Sequence, residues 1–165
     1  MLVLGIDTSL RSTGLGLVEF RDGSLLGVGY DTIKNPPKRP LSECLVNIRK
    51  TILAAIEEFK PDVVAIEGVF YAKFPNTTLI LGEARGVAIA ACAESGLQVF
   101  EHEPRRVKQA VAGWGNATKD QVQKMVVSLL GLQTTPPEDA ADALAIAICH
   151  IQSFTRMALA GVKAL

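Results

Sequence analysis

Two short aliphatic runs that each end in a carboxylate constrain the possible folds of this sequence more than any other feature. Residues 2–8 read Leu-Val-Leu-Gly-Ile-Asp-Thr and contain Asp7, and residues 63–67 read Val-Val-Ala-Ile-Glu and end at Glu67. Aliphatic runs of this kind are typical of strands that are buried on both faces of a sheet. If the two strands are parallel neighbours, both carboxylates lie at the same edge of the sheet.

Asp7 has two interpretations when the first run is considered alone. An unpaired carboxylate that is buried costs several kcal/mol, so we expect Asp7 at the exposed C-terminal end of its strand. There it either caps an Asx turn that leads into residues 9–13 or binds a cation. The other acidic residues of the chain have to decide between these roles.

The remaining strands complete a mixed sheet. Asp22-Gly23 is a hairpin signal between two segments of strand composition, so three antiparallel strands form a meander. Glycines at positions 14, 16, 27 and 29 suggest either that another backbone approaches this meander closely or that its strands bend strongly there. The sequence therefore predicts an α/β fold in which a five-stranded mixed sheet, three antiparallel strands plus two parallel ones, is flanked by helices. The predicted strands cover residues 2–8, 12–20, 25–33, 63–67 and 97–101.

Apolar spacing and capping signals predict five helices. The fourth begins with a capping box formed by Thr118 and Gln121, and the fifth with Thr135 as N-cap, proline at N1 and Glu138 at N3. The second helix has apolar or small residues on nearly every face, so we expect one face to pack on the sheet and another on a second subunit. The alternative is a helix that is fully enclosed. The predicted helices cover residues 41–59, 77–95, 104–112, 119–130 and 136 onward.

The last helix carries two acids that point to metal chemistry. Asp139 and Asp142 are three residues apart and share one helix face, within a stretch of alanine, leucine and isoleucine. The helix dipole explains acids in a first turn, which suffices for Glu138 but is weaker for Asp142. Four carboxylates brought together would repel one another unless divalent cations lie between them, and two Mg²⁺ ions about 3.5–4 Å apart are the usual solution. Such a site hydrolyses phosphodiesters.

Composition limits the class of protein further. Hydrophobic residues make up 48% and charged residues 21%, which predicts one globular domain over residues 1–165. Seventeen acidic and seventeen basic residues cancel; this weighs mildly against a nucleic-acid partner, although metal ions would invert the charge of an acidic site. The three cysteines are widely spaced, the two histidines lack partners at metal-ligand spacing, and no signal peptide or membrane span is visible. We expect a cytoplasmic, nucleoid-associated protein without a membrane partner.

Five motifs, in order along nearly the whole chain, resemble the RuvC-type Holliday junction resolvases. The resemblance implies an RNase H-like fold, a homodimer, and paired symmetric nicks across a four-way DNA junction with Mg²⁺ or Mn²⁺. It also implies that Asp7, Glu67, Asp139 and Asp142 are the metal-binding catalytic acids, and it leaves open whether a branch-migration motor binds. The motifs are Gly5-Ile-Asp7 with Thr13-Gly14, Ala65-Ile-Glu67 followed by Val69-Phe70 and Ala72-Lys73, Gly82-x-Ala-Arg-Gly86, Val107-Lys-Gln109, and Asp139-Ala-Ala-Asp142-Ala-Leu-Ala145.

The same resemblance assigns DNA contacts. Phe70 and Lys73 follow the second acid, and Phe70 matches an aromatic residue that stacks on bases of the opened junction; the alternative is a core phenylalanine. Lys108 and Lys119 match basic positions near the scissile phosphate, and the alternative for them is an ordinary solvated lysine. Basic residues that extend the phosphate-contacting surface are Arg105, Arg106 and Lys124, although surface charge is their simplest explanation.

The chain also departs from the family pattern, and two rival functions remain. Thr8, Ser9 and Leu10 follow the first acid where the family usually has Asp-Pro-Gly, and Gly68 replaces a side chain. A strand followed by Asp-Thr-Ser and a Thr-Gly-x-Gly segment also resembles the phosphate loop of actin-like ATPases, which predicts a non-catalytic binding or scaffold subunit. The other rival is an RNase H-like nuclease with a different nucleic-acid substrate.

Overall fold

Strand β1 (Leu2–Asp7) lies at the centre of the sheet in the computed structural model, which describes residues 1–68 and 75–157. It pairs antiparallel with β2 (Ser12–Arg21) and parallel with β4 (Val63–Glu67). β3 (Ser24–Lys34) continues the antiparallel meander, and β5 (Val99–His102) is parallel to β4. The strand order is β3-β2-β1-β4-β5, so the predicted mixed sheet of three antiparallel and two parallel strands is confirmed.

Helices cover both faces of this sheet, because alternate residues of its strands point to opposite sides. Leu4 and Ile6 of β1 pack with α1 (Leu41–Phe59) and α2 (Pro75–Glu94). Val3 belongs to the other hydrophobic layer. That layer contains the three remaining helices, α3 (Pro104–Ala112), α4 (Lys119–Leu130) and α5 (Glu138–Met157).

Helix α5 approaches the sheet unusually closely, and this approach brings its acids to the edge of β1. A side chain at Gly5 would collide with the carbonyl oxygen of Ala143, and one at Gly14 with the carbonyl oxygen of Asp139. Glycine on the strands and alanine on the helix therefore let the two backbones nearly touch. Close backbone approach is confirmed for Gly14 and Gly16, and its partner is α5; at Gly27 and Gly29 an added Cβ would meet only side chains.

Three element boundaries differ from the prediction by two residues, and several others by one. Helix α2 begins at Pro75 instead of residue 77, since proline suits the first helical position. Strand β5 begins at Val99 instead of residue 97, because the Leu97 amide donates to the Cys92 carbonyl and still closes the end of α2. Thr135 does not cap α5. Pro136 precedes another proline, which disfavours helical geometry, and the first helical bond runs from the Ala141 amide to the Pro137 carbonyl.

Helix α2 is not fully enclosed, so that alternative is wrong. Ala84, Ala88 and Cys92 are buried, whereas Leu79 is 66% exposed and Gly86 faces open space on the other side. The second subunit expected on that face stays a prediction. Within the part of the chain that the structure describes, no helix is both long and apolar enough to cross a membrane.

Candidate active site

Three of the four predicted acids line one pocket at the C-terminal edge of β1 and β4. Ile6 is paired with Ile66 in the parallel ladder, so Asp7 and Glu67 follow at the same edge. Helix α5 lies across this edge and contributes Asp142. The pocket has a volume of about 240 Å³, and its walls are completed by α3 and α4. Its lining residues are Asp7, Glu67, Asp142, Lys108, Lys119, Pro104, Val107 and Val122.

The turn that follows Asp7 leaves its carboxylate available to the pocket. In an Asx turn the amide of Ser9 would donate to Asp7, but here this amide donates to Thr13 Oγ1 at 3.2 Å. The Thr13 hydroxyl in turn donates to the Ser9 carbonyl oxygen at 2.5 Å, and Asn35 donates to the Leu10 carbonyl oxygen at 2.8 Å. The Asx-turn interpretation is therefore wrong. Thr13 and Asn35 thus hold the turn in which this chain departs from the family pattern.

The pKa values of the acids in the pocket are raised, because burial and the neighbouring negative charges disfavour the ionised form of each. Burial, and then the negative charges of Asp142, Glu67 and Asp139, raise the pKa of Asp7 to about 7. Burial and Asp142 raise the pKa of Glu67, against the opposing charges of Lys108 and Lys119. Burial also raises the pKa of Asp142, and Lys119 opposes that rise. The carboxylates are thus close enough to share one electrostatic site.

Asp139, the fourth acid, lies at the margin of the site and has partners of its own. Its carboxylate accepts a hydrogen bond from the Ser12 hydroxyl, and Lys34 Nζ lies 3.3 Å from Asp139 Oδ2. Lys34 also donates to the Ser12 oxygen at 2.5 Å. Sequence reasoning missed both partners. No local sequence signal marks them, because an extra residue of β3 between the pairs of Leu17 and Val18 shifts the register and brings Lys34 opposite Ser12.

The predicted lysines lie in the pocket. Lys119 pairs with Glu138 and lies 3.4 Å from Asp142 Oδ2. The hydrogen bond with Glu138, supported by the charge of Asp142, raises the pKa of Lys119. Glu138, which the sequence suggested is only a helix-end acid, therefore also holds Lys119 at the site.

The other predicted DNA contacts lie elsewhere. Arg105 and Arg106 line a second groove, on another side of α3. Lys124 pairs with Asp120 at 2.8 Å on the exposed surface of α4. Phe70 and Lys73 lie outside the described residues.

The donor set fits a hard divalent cation, although the side chains are not in ligand geometry as they stand. Within residues 1–68 and 75–157, no three His, Cys, Asp or Glu side chains are grouped so that they could hold a metal ion. Instead, the ammonium groups of Lys34 and Lys119 neutralise Asp139 and Asp142. Carboxylate oxygens are the ligands that Mg²⁺ and Mn²⁺ prefer. A cation that displaced the lysines would also relieve the repulsion that raises the pKa of Asp7.

Comparison with known protein families gives a match over most of the chain. The family model described as crossover junction endodeoxyribonuclease RuvC matches residues 3–150. The protein of that name from Chloroflexus aurantiacus is 48% identical over 151 residues, which are 91% of this chain and 92% of the relative. Its namesake from Chloroflexus aggregans is 46% identical over 165 residues, covering 99% of this chain and 100% of the relative.

Solved structures agree with this match. Thermus thermophilus RuvC in complex with a Holliday junction substrate superposes with a TM-score of 0.90 at 35% identity, covering 100% of this chain and 99% of that one. The yeast mitochondrial Holliday junction resolvase Ydc2 shares the fold at 14% identity, with a TM-score of 0.70 and coverage of 96% and 80%. The predicted RNase H-like fold class is confirmed.

Proposed function

The chain belongs to the RuvC family of crossover junction endodeoxyribonucleases, and from this premise we propose that Asp7, Glu67, Asp139 and Asp142 are its catalytic acids. The protein is a nuclease that resolves Holliday junctions, binds junction DNA and depends on divalent metal ions. The observation that supports the four residues is that Asp7, Glu67 and Asp142 converge from β1, β4 and α5 on one pocket, while Asp139 lies close enough at its margin to raise the pKa of Asp7. The actin-like alternative gives the Asp139 and Asp142 pair no role and is not favoured.

The cofactor we propose is a pair of Mg²⁺ ions, with Mn²⁺ as a substitute. The four carboxylates would hold the ions, which in such sites activate water and stabilise the attacking and leaving oxygens of the phosphodiester. The chain's own contribution is to place hard oxygen donors on rigid elements. Asp7 and Glu67 are fixed by paired strands, and Asp142 by a helix that cannot move away without separating the backbones of α5 and β1.

Two lysines complete the proposed chemistry. Lys108 and Lys119 bring positive charge to the same pocket as the acids, and a phosphate that enters the pocket meets both. Lys119 is held by Glu138 from outside the pocket, so its ammonium group remains near the reacting phosphate when Asp142 turns toward a cation. Lys108 and Lys119 are therefore proposed to bind the scissile phosphate.

The proposed assembly is a homodimer on a four-way junction, because two symmetric nicks require two active sites. We propose that residues 1–165 form one nuclease domain and that the exposed face of α2 contacts the second subunit. Base stacking by Phe70, a DNA contact by Lys73, a branch-migration motor as partner and a nucleoid location remain predictions.

A cleavage assay tests the catalytic assignment. Purified protein with Mg²⁺ should nick a synthetic four-way junction symmetrically and leave linear duplex largely intact. Asp142→Asn should lower the nicking rate on the order of 10²-fold or more, because it removes one charged oxygen ligand. The matched control is Asp120→Asn, an exposed acid on α4, which should nick at the wild-type rate. Full activity of Asp142→Asn would refute the assignment, and preferential cleavage of an RNA:DNA hybrid would favour the rival substrate.

A further inference from the structure

A second groove lies on the side of α3 that faces away from the catalytic pocket. Its volume is about 500 Å³, and its lining includes Glu103, Arg105, Arg106, Gln109 and Trp114. The Trp114 side chain is 50% exposed, and it is one of the largest apolar surfaces that the described residues leave open to solvent. The groove therefore combines an exposed indole with two guanidinium groups.

The backbone after α3 holds this indole and Arg105 together. Gly113 ends the helix with a φ of 86°, and the Ala117 amide bonds back to the Trp114 carbonyl oxygen at 3.4 Å. A Cβ at Gly115 would lie 3.2 Å from Arg105 Cγ and 3.3 Å from the Arg105 carbonyl oxygen. Because only glycine fits there easily, the loop packs against Arg105 and fixes Trp114 near it.

The groove and the catalytic pocket share one helix. Val107 and Lys108 of α3 line the catalytic pocket, and Arg105, Arg106 and Gln109 of the same helix line the groove. The two sites are therefore separated by about the 10 Å diameter of a helix with its side chains. A DNA strand whose phosphate occupies the catalytic pocket would pass within reach of the groove a few nucleotides away.

The chemistry of the groove fits an unpaired nucleotide. Among the described residues, neither Arg105 nor Arg106 forms an ion pair, and Glu103 is the one carboxylate in the lining. Guanidinium groups bind phosphate, and an exposed indole offers a flat apolar surface for a base. We propose, on the basis of the proposed function, that this groove binds an unpaired nucleotide of the junction strand, with its base on Trp114 and its phosphate on Arg105 and Arg106.

The test uses intrinsic fluorescence, since Trp114 is the single tryptophan of the chain. With EDTA present to prevent cleavage, the full-length protein is titrated with a synthetic four-way junction, a short oligothymidylate or a blunt linear duplex. The junction and the oligothymidylate should quench Trp114 emission, and the duplex should not.

Variants separate stacking from charge. Trp114→Ala should weaken oligothymidylate binding about 5- to 150-fold, the range that corresponds to loss of one stacked base, and Trp114→Phe should restore much of it. Arg105→Gln with Arg106→Gln should raise the half-saturating concentration several-fold. Arg21→Gln, at the distant hairpin, is the matched control and should leave binding unchanged.

The outcomes distinguish this inference from the proposed function. If the junction is bound and nicked while Trp114 emission does not change, the groove is not a nucleotide site and the resolvase assignment stands. Equal quenching by the blunt duplex would show contact with paired DNA and would overturn the inference. If the protein neither binds nor nicks the junction, the proposed function itself fails.

Discussion

Asp7 is the residue at which burial and repulsion act together most strongly. It ends the central strand, and its pKa of about 7 reflects burial first and three neighbouring acids second. In the metal-free protein these groups destabilise the fold, and the opposing charges of Lys34 and Lys119 offset only part of that effect. The cluster of acids thus lowers the stability of the metal-free protein and provides concentrated negative charge that cations can bind.

The substitution Asp7→Asn should therefore stabilise the metal-free protein at pH 8. We expect a gain of about 2 kcal/mol in the free energy of unfolding, roughly half of what the full pKa change would give, since the carboxyl is only partly buried. The folded pKa of Asp7 lies above the usual 3.8. The wild-type carboxyl therefore costs no stability below pH 3.8, and its cost in the free energy of unfolding grows as the pH rises through 7. Urea unfolding in EDTA at pH 8 and at pH 4 measures the gain and its dependence on pH. Asp22→Asn, in the exposed hairpin, is the control, and an equal gain at both pH values would contradict the prediction.

Lys34 lies 3.3 Å from Asp139 Oδ2, so we expect it to compete with cations for this carboxylate. Lys34→Met should tighten Mg²⁺ binding in the absence of DNA by up to about fivefold, because partly exposed ion pairs contribute up to about 1 kcal/mol. Isothermal titration calorimetry gives the affinity. Lys38→Met removes the same charge from an exposed loop position and should have a smaller effect. Unchanged or weaker binding by Lys34→Met would show that the lysine does not oppose the cation.

At the scale of elements, strands and helices were predictable wherever a local pattern is strong. The two aliphatic runs form β1 and β4 as predicted, and Thr118 and Gln121 form the predicted capping box. Two features depend on tertiary context and were not predicted. One is the bulge that brings Lys34 opposite Ser12, because a one-residue insertion in a hairpin leaves no pattern in composition. The other is the packing of β5 against α5.

That packing joins the two histidines of the chain. His102 Nε2 lies 3.1 Å from His150 Nδ1, and both residues are buried. The ring centroids of Phe100 and His150 are 4.8 Å apart. Their separation of 48 residues hides the contact from any reading of local spacing. Burial lowers the pKa of both histidines to about 4, so the folded protein holds them neutral.

The histidine pair should make the protein less stable in mild acid. Because the folded pKa values lie below the usual 6.5, the unfolded chain takes up protons first, and stability falls as the pH drops from about 6.5 toward 4. The pair should contribute a loss on the order of 3 kcal/mol over that range. His102→Leu combined with His150→Phe should flatten the fall in urea unfolding between pH 7 and pH 5. Parallel falls in the wild type and the double variant would contradict this.

At the scale of the whole molecule, one sheet with helices on both faces accounts for the site and its surroundings. The acids sit where β1, β4 and α5 meet, and the neutral net charge conceals a division between an acidic pocket and the basic groove beside it. The sequence predicted that these acids come together, because strand ends and helix spacing can be read locally, and their catalytic role stays a prediction. It did not predict the groove, because Arg105 and Trp114 come together only through the loop at Gly115.

The exposed face of α2 gives the last prediction, which concerns assembly. Gly86→Arg should convert the proposed dimer to a monomer, since a large charged side chain would project from a face that small residues keep flat. The isolated chain should still fold: a Cβ at Gly86 meets nothing within 4 Å, and replacing a mid-helix glycine favours the helix by roughly 0.5–1 kcal/mol. Light scattering measures the mass, and circular dichroism checks the fold. Ala54→Arg, on the exposed side of α1, should remain dimeric, and a dimeric Gly86→Arg protein would place the subunit contact on another surface.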